Sequence, residues 1–314
     1  MHNFSETEMS ASHKRIENNI HRTPVLTSNS LNEISGAELY FKCENFQRMG
    51  AFKIRGALNA ILLLSEDKKK KGVITHSSGN FAQALALAAR SLGVKSYIVM
   101  PENAPRVKIE AVKGYGGKII FCPPTQKDRE ETSHKLVKET GATFIHPSND
   151  KNVILGQGTV AKELLEDYNG LEIIVSPVGG GGLIAGSILA AEYYSNNCKV
   201  IGAEPMEADD AYRSLLSGRI ETNETTNTLA DGLKTNLGNI NFPIIKTGID
   251  EIIRVDEKSI SEAMKMIWER MKIVVEPSSA IAFAAVLKNP EKFRSKKIGI
   301  LISGGNVDLS GLPF

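Results

Sequence analysis

The chain has 314 residues, 41% of them hydrophobic and 24% charged, which is typical of a soluble protein built as one large α/β unit or as two interleaved domains. Its 38 basic and 36 acidic residues give a formal net charge of +2, which argues against a nucleic-acid or membrane partner and favours a small-molecule substrate. Three widely separated cysteines, no run of roughly 20 apolar residues and no signal-like N-terminus exclude a disulfide framework and a membrane span, and they predict a cytoplasmic protein.

The predicted secondary structure alternates short strands with helices, as a parallel sheet with crossover helices requires. The strands predicted from runs rich in Val and Ile are 72–77, 96–101, 118–123, 143–147, 172–177, 200–205, 251–255 and 298–303. Helix 81–93 is apolar on nearly every side, so we expect it to be buried, whereas the lysine-rich run 66–72 is predicted to be a solvated helix end. No internal repeat or low-complexity linker is visible, which favours one interleaved α/β body over two tandem domains.

Unusual loops follow three of these strands, at the edge where parallel α/β proteins bind ligands. They are SSGN at 77–80, GGGG at 179–182 and SGGN at 303–306. Four glycines before a helix let backbone N–H groups surround an anion, although a flexible tight turn is the alternative interpretation. Because the glycine loop lacks both the P-loop ending and the dinucleotide fingerprint, a smaller phosphate ester is the favoured ligand.

The stretch GAFKIRGALNA at 50–60 places Lys53 where a helix is predicted to begin. A single lysine is usually an exposed surface residue, and that interpretation stays open for Lys53 considered alone. A phosphate-binding loop in the same chain nevertheless indicates pyridoxal phosphate, because the aldehyde of this cofactor needs a lysine for a Schiff base.

Seven separated motifs lie between Arg22 and Asp308, namely GAFKIRGALNA, HSSGNFAQA, PVGGGGLIAG, AEPMEADDAY, ADGLK, VEPSSA and ISGGNVD. In order and spacing they resemble the serine racemase and serine/threonine dehydratase family, of the tryptophan synthase β-subunit fold type. The resemblance implies an α/β fold of type II among pyridoxal-phosphate enzymes, with two interleaved three-layer αβα domains and twisted, mostly parallel sheets. It implies a large cofactor-binding domain of residues 1–71 and 150–314 and a small mobile domain of residues 72–149.

The resemblance also implies roles for individual residues. Lys53 forms the Schiff base and then removes the α-proton on one face of the cofactor. In the racemases of this family the serine matching Ser78 returns a proton on the other face, although serines in such loops also bind the substrate carboxylate. Ser303 faces the pyridine nitrogen, where a hydroxyl stabilises a protonated ring less than a carboxylate does, and this favours elimination or proton exchange over transamination. Taken alone, Ser303 is a loop serine that caps a helix. The implied cofactor contacts are Phe52, Lys53, Asn80, Gly179, Gly180, Gly181, Gly182 and Ser303.

The implied substrate contacts are Ser77, Ser78, Asn80, Phe81, Arg129 and Thr235. Phe81 stands where many relatives have a histidine, and Ala51 where the family usually has a serine. Arg129 is able to hold a carboxylate with two hydrogen bonds, which favours an acidic substrate such as 3-hydroxyaspartate, whereas a surface ion pair is the alternative. The histidines that show no metal-ligand spacing, and are predicted to be satisfied strand-end or surface residues, are His76, His134 and His146.

A divalent-cation site of the family matches AEPMEADD, with Glu204, the Ala208 carbonyl and Asp210 as ligands. Oxygen ligands of this kind suit magnesium, calcium or manganese, whereas the helix dipole alone also favours acidic residues at a helix N-terminus. Relatives are commonly dimers, so we expect a homodimer.

Some animal relatives are activated by a nucleotide near the segments that match Ser28–Ser30, Gln83, Tyr115 and Asn306. Arg48 and Met49 stand where those relatives have lysine and threonine, so nucleotide activation is not assumed.

The function implied by the resemblance is a pyridoxal-phosphate-dependent serine racemase that also acts as an L-serine or L-threonine dehydratase and gives a 2-oxo acid and ammonia. The alternative is a threo-3-hydroxyaspartate or threonine ammonia-lyase without racemase activity. Two other classes stay open. A nucleotide-dependent oxidoreductase would need the missing dinucleotide pattern, and an inactive binding or regulatory member of the family would release no ammonia from L-serine.

Overall fold

Within residues 3–314 the chain forms two sheets flanked by helices. A computed structural model describes residues 3–314, with the backbone alone at residue 126. The strands are β1 (Val25–Leu26), β2 (Glu38–Cys43), β3 (Val73–His76), β4 (Ser96–Pro101), β5 (Lys118–Cys122), β6 (Thr143–Phe144), β7 (Ile173–Pro177), β8 (Lys199–Pro205), β9 (Glu251–Val255) and β10 (Lys297–Ile302).

The helices cover both faces of the sheets. They are α1 (Glu6–Ile16), α2 (Asn29–Ser35), α3 (Lys53–Leu62), α4 (Glu66–Lys71), α5 (Asn80–Ser91), α6 (Arg106–Gly114), α7 (Gln126–Thr140), α8 (Lys151–Asp167), α9 (Gly182–Tyr194), α10 (Asp210–Ser217), α11 (Phe242–Gly248), α12 (Glu257–Met271), α13 (Pro277–Lys288) and α14 (Pro290–Phe293). Across residues 3–314, no helix combines the length and the apolar character that a membrane crossing requires.

The larger sheet has six strands in the order β1-β2-β10-β7-β8-β9, and the smaller sheet has four in the order β5-β4-β3-β6. Within the described residues all neighbouring strands are parallel except β1 and β2, which are antiparallel. This arrangement confirms the predicted α/β fold with mostly parallel sheets. The smaller sheet takes its strands from within residues 73–144, and the division into a large and a small mobile domain stays a prediction.

The large sheet lies between two apolar layers. Along β7, Ile173 and Val175 point into a cluster with α12 and α13, whereas Ile174 points into a cluster with α8 and α9. Because successive side chains of a strand point to opposite faces, a strand covered on both sides reads as a continuous apolar run. The larger sheet is therefore the middle of three layers.

All eight predicted strands are present, but their lengths differ in places. The run predicted at 143–147 is a strand only over Thr143–Phe144, because the Nδ1 atom of His146 accepts hydrogen bonds from the backbone of Ser148 and Asn149 and turns the chain. Strands β1 and β2 were not predicted. The predicted helix at 81–93 is confirmed as the buried α5, and the lysine-rich run is confirmed as the exposed helix α4.

Candidate active site

The segment that carries Lys53 is joined to the loop that follows β10. The backbone N–H of Phe52 donates to the carbonyl of Ser303 at 3.0 Å, and that of Gly305 donates to the carbonyl of Gly50 at 2.9 Å. Ala51 and Gly304 form an antiparallel bridge between these bonds. The first turn of α3 is thereby fixed at the carboxyl end of the large sheet, where ligands of parallel α/β proteins bind.

The amine of Lys53 lies among aromatic rings at the beginning of α3. Its Nζ donates to the carbonyl of Pro147 at 3.1 Å and lies 4.9 Å from the ring centre of Phe52 and 5.9 Å from that of Phe81. Burial lowers the pKa of Lys53 to about 8, against an opposing effect of the nearby Glu276 carboxylate. At pH 7 roughly a tenth of an amine with such a pKa is neutral, against less than about a thousandth of an ordinary lysine, so Lys53 is far more available than a surface lysine as a nucleophile or base.

The four glycines that follow β7 are closely surrounded. A Cβ on Gly180 would lie 2.5 Å from Ser148 Oγ and 2.9 Å from Thr235 Oγ1, and a Cβ on Gly182 would overlap the side-chain oxygen of Gln157. Gly181 has a φ of +80°, a backbone conformation that favours glycine. This close packing is unlike a flexible turn, and it leaves a loop of bare backbone at the N-terminus of α9, which suits an anion.

Lys53 and the glycine loop face the same short segment of chain. Pro147 accepts the Lys53 hydrogen bond, and the next residue, Ser148, lies against Gly180. Asn241 fastens this segment to the loop, because its amide donates to the carbonyls of Ser148 at 3.2 Å and Gly180 at 2.8 Å. One small molecule is therefore able to reach the amine and the glycine loop at once.

Asn80 takes part in a hydrogen-bonded group that the sequence did not predict. Its side-chain N–H group donates to both oxygens of Glu276, at 2.9 and 3.1 Å, and its oxygen accepts from Asn306 at 2.9 Å. Burial raises the pKa of Glu276 to about 7, helped by the charge of Asp231. Glu276 lies in the VEPSSA motif, directly before Pro277 and α13, and a carboxylate at such a helix start was the signal available in the sequence.

Ser303 lies buried at the end of β10 and caps no helix in the structure. Its hydroxyl is 3.0 Å from that of Ser279, which also accepts from the backbone N–H of Gly304 at 2.7 Å and donates to the Gly304 carbonyl at 2.6 Å. Ser279, from the same VEPSSA motif, is a second residue to which no role was predicted. Because Ser279 donates its own proton to the Gly304 carbonyl, its oxygen accepts the hydrogen bond from the Ser303 hydroxyl and fixes the position of that hydroxyl.

Two histidines lie between Lys53 and Arg129. The rings of His76 and His146 are 5.5 Å apart. Burial, followed by the charges of His76 and Lys53, lowers the pKa of His146 to about 4, and burial followed by the charge of Arg129 lowers the pKa of His76. Both rings are therefore neutral at physiological pH. His146 is a satisfied strand-end histidine as predicted, and His134 is exposed on α7.

The other predicted substrate contacts surround the same region. Ser77 and Ser78 are half-buried in the loop between β3 and α5, where the Ser77 hydroxyl accepts from the backbone N–H of Gly79 at 3.3 Å. Phe81 is buried in the first turn of α5, and Thr235 is exposed but lies against the glycine loop. Phe81 thus brings loop 77–80 close to Lys53, and Thr235 lies beside the glycine loop of residues 179–182.

The predicted metal ligands lie where β8 meets α10. Glu204 accepts hydrogen bonds from the backbone of Ala211 and Tyr212, and Asp210 accepts from the backbone of Leu237 and the amide of Asn223. Both carboxylates are fully buried. Burial, with the charge of Asp210 second, raises the pKa of Glu204 well above its ordinary value, and burial raises that of Asp210 to about 6. Over the described residues no cluster of three or more His, Cys, Asp or Glu side chains is arranged to hold a metal ion.

Comparison with known proteins gives a consistent result. Residues 16–304 match the family model of pyridoxal-phosphate dependent enzymes. The serine racemase of Dictyostelium discoideum is 51% identical over 97% of this chain and 95% of its own length, and the beta-hydroxyaspartate dehydratase of Paracoccus denitrificans is 48% identical over 98% of both chains. The crystal structure of the Dictyostelium enzyme superposes with a TM-score of 0.92, at 51% identity, over 96% of this chain and 98% of the other.

Proposed function

This chain belongs to the family of pyridoxal-phosphate dependent enzymes, and from that premise we propose that it is a serine racemase that also eliminates water from L-serine or L-threonine. The observation that carries the proposal is the position of the Lys53 amine, which shares the 147–148 segment with the glycine loop. The similarity to the Dictyostelium serine racemase extends over almost the full length of both proteins and supports the choice of activity.

The residues of the site fit pyridoxal phosphate. A phosphate suits the backbone of Gly179–Gly182, because these residues carry no side chains and lead into the N-terminus of α9. The Lys53 amine is polar, half-buried and of lowered pKa, as attachment to an aldehyde requires. Asn80 and Ser303 lie in the other two strand-end loops and are assigned to the ring hydroxyl and the ring nitrogen. When bound, pyridoxal phosphate supplies an aldehyde for the amine and a conjugated ring that accepts electrons from the α-carbon.

In the proposed mechanism the protein moves one proton at the substrate α-carbon. The neutral Lys53 amine, once displaced by the substrate amine, removes the α-proton from its own face. The Ser78 hydroxyl returns a proton from the opposite face and so gives the D-amino acid. Loss of the β-hydroxyl group is the competing outcome, and hydrolysis then gives a 2-oxo acid and ammonia. The Ser303 hydroxyl, assigned to the ring nitrogen, would stabilise a protonated ring less than a carboxylate does, and this favours these outcomes over transamination.

A second candidate function is elimination from threo-3-hydroxyaspartate without racemisation. Arg129 lies close enough to His76 to lower the pKa of that histidine, and His76 in turn adjoins His146 on the side of Lys53. A guanidinium in this position is suited to hold a second substrate carboxylate. The 48% identity to the Paracoccus dehydratase supports this candidate.

Further features of the enzyme belong to the same proposal. Glu204, the Ala208 carbonyl and Asp210 would hold magnesium, calcium or manganese together with water, because two buried carboxylates of raised pKa gain most from a cation. We expect a cytoplasmic homodimer with a large domain of residues 1–71 and 150–314 and a small domain of residues 72–149 that moves during turnover. Nucleotide activation is not part of the proposal, because Arg48 and Met49 differ from the activated relatives.

The decisive experiment supplies the purified yellow protein with L- and D-serine, L-threonine and the isomers of 3-hydroxyaspartate, and measures oxo acid, ammonia and the chirality of the remaining amino acid. We expect D-serine, pyruvate and ammonia from L-serine. Oxo acid from 3-hydroxyaspartate without any D-serine from L-serine would select the second candidate. Absence of any product from every substrate would contradict both.

A further inference from the structure

Gln157 has a buried side-chain oxygen that lacks a partner. The residue lies on α8 and is fully buried, and its Oε1 atom accepts no hydrogen bond from the described residues. The same oxygen lies so close to Gly182 that a Cβ on this glycine would overlap it, and it therefore borders the glycine loop at the N-terminus of the 13-residue helix α9. A buried polar atom without a partner is costly, and natural proteins retain such atoms where a ligand or ion completes them.

The other end of this amide makes only a long bond. Gln157 Nε2 donates to the carbonyl of Pro147 at 3.3 Å, and that carbonyl already accepts from Lys53 Nζ at 3.1 Å. The oxygen and nitrogen of a glutamine amide exchange places by a half-turn about the last side-chain bond. Such a turn gives up one long bond and brings an N–H group to the glycine loop. It also carries the amide oxygen to the side of the Pro147 carbonyl, where the Lys53 amine is the donor nearby.

We infer that Gln157 is a phosphate ligand: its amide turns to donate an N–H group to the phosphate in the glycine loop and so completes with a side chain a cradle otherwise made of backbone. A phosphate dianion favours the donor over the acceptor end of the amide, because a hydrogen bond to a charged oxygen is stronger than one between neutral groups. Gln157 thereby contacts the phosphate at one end of the site and lies over the carbonyl that Lys53 uses at the other. The inference rests on the proposed placement of the phosphate beside Gly179–Gly182.

The test compares two ligands that differ only in the phosphate. Cofactor-free full-length protein is titrated with pyridoxal phosphate and with pyridoxal, and binding is followed by absorbance and by calorimetry. In Gln157→Met, which keeps the length of the side chain, the affinity for pyridoxal phosphate should fall roughly 10- to 100-fold, since a hydrogen bond to a charged group is lost. The affinity for pyridoxal should change by less than about threefold, because that ligand lacks the group concerned. Inorganic phosphate should compete with pyridoxal phosphate less well in the variant than in the native protein.

Gln157→Glu separates the two orientations of the amide. A carboxylate cannot donate to the phosphate and repels it, so this variant should bind pyridoxal phosphate more weakly still. If Gln157→Glu bound pyridoxal phosphate as tightly as the native protein, the donor role would be refuted. Pyridoxal binding in each variant shows that the site is folded, and Gln47→Met, at another buried glutamine, should leave the ratio of the two affinities unchanged.

A variant of the glycine loop distinguishes failure of this inference from failure of the proposed function. Gly180→Ala places a methyl group against Ser148 and Thr235, and it should weaken the binding of pyridoxal phosphate far more than the binding of pyridoxal. If Gly180→Ala behaves so but Gln157→Met leaves the ratio unchanged, Gln157 is no ligand although the phosphate lies where proposed. If neither variant changes the ratio, the phosphate site itself is wrong.

Discussion

The carboxylate of Glu276 accepts two hydrogen bonds from the side-chain amide of Asn80, at 2.9 and 3.1 Å. Glu276 precedes α13 on the large sheet, whereas Asn80 begins α5 beside the small sheet, so the pair joins the two parts of the fold at the site. The charge of Glu276 also reaches Lys53 and raises the pKa of the amine against the effect of burial. The acidity of the proposed catalytic lysine is therefore set first by burial and is moderated by a residue 223 positions away in the chain, counting from 53 to 276.

The pH dependence of cofactor attachment follows from this interaction. Only the neutral Lys53 amine adds to an aldehyde, and its pKa is about 8 in the cofactor-free protein. The attachment rate should rise about tenfold per pH unit below that value and level off above it. Removing the negative charge in Glu276→Gln takes away the effect that raises the pKa, so the midpoint of the profile should move to lower pH. Stopped-flow absorbance of pyridoxal phosphate binding measures both profiles, and a midpoint that stays fixed or rises in Glu276→Gln would contradict the assignment.

The covalent role of Lys53 predicts a sharp difference between two lysines. Lys53→Ala should lack the visible absorption band of the attached cofactor, because no other described amine is assigned to the glycine loop. Lys70→Ala, in the exposed helix α4, is the matched control and should keep the band. Borohydride reduction followed by peptide mapping identifies the labelled residue. A band of native intensity in Lys53→Ala would refute the role.

The sequence predicts the strands whose apolar runs are continuous, and it misses a strand that contains a buried charge. Strand β2, ELYFKC, was overlooked because Lys42 interrupts its apolar pattern. In the structure Lys42 is fully buried and donates to Glu163 at 2.7 Å, 121 residues further along the chain. A pattern of neighbouring residues carries no information about such a distant partner, so the sequence alone predicts that Lys42 is exposed.

The site was predicted in the same uneven way. Lys53 and the glycine loop were found because contiguous motifs carry them, and their roles stay predictions that the proposed experiments test. Glu276 and Gln157 were missed because their importance comes from what the fold places beside them. Gln157 did leave one signal, since it lies between two glycines that pack closely on backbone atoms, and a buried polar residue in such a position needs a reason.

Substitution of Ser78 should affect racemisation and elimination to different extents. Ser78→Ala removes the hydroxyl that returns a proton on the face opposite Lys53, so racemisation of L-serine should fall by about 100-fold or more, as is typical for the loss of a general acid. Elimination needs no proton from that face and should keep a substantial part of its rate. Chiral chromatography of serine and a coupled assay of pyruvate measure the two products.

Ser77→Ala is the matched control for Ser78→Ala, because it removes a neighbouring hydroxyl in the same half-buried loop. This control should change both outcomes by a similar factor. Equal loss of racemisation and elimination in Ser78→Ala would count against the model with proton transfer on two faces.

The buried ion pairs beneath α3 predict a large effect on stability. Arg55 donates to both oxygens of Glu44 at 2.8 Å and to those of Glu163 at 2.7 and 2.9 Å, and all three side chains are buried. Arg55→Leu leaves buried carboxylates without this partner and should lower the free energy of unfolding by about 3–5 kcal/mol. Urea denaturation measures the change.

Two further variants control the Arg55 prediction. Glu163 keeps its bond from Lys42 in Arg55→Leu, whereas Glu44 loses the cation that pairs with it. Adding Glu44→Gln removes that charge and should restore part of the stability. Arg219→Leu, which breaks an exposed pair with Glu221, should leave the denaturation midpoint almost unchanged. If Arg55→Leu were as mild as Arg219→Leu, the buried pairs would not stabilise α3.

The proposed cation site should reveal itself through the pH dependence of stability. The pKa of Asp210 is raised to about 6 by burial, so between its unfolded value of 3.8 and about 6 the folded protein binds more protons than the unfolded chain. Without a cation, this carboxyl group therefore makes stability fall as pH rises through that window. A cation binds the ionised carboxylates, so its stabilising effect should be larger near neutral pH than at pH about 5 and should reach about 2.7 kcal/mol at a concentration 100-fold above Kd. Calorimetric unfolding with and without magnesium, calcium or manganese measures the effect.

Asp210→Asn should abolish the stabilisation by the cation, whereas Asp250→Asn, which alters an ion pair with Lys199, should leave it intact. Equal stabilisation of the native protein and Asp210→Asn by every cation would show that no such site exists at Glu204 and Asp210.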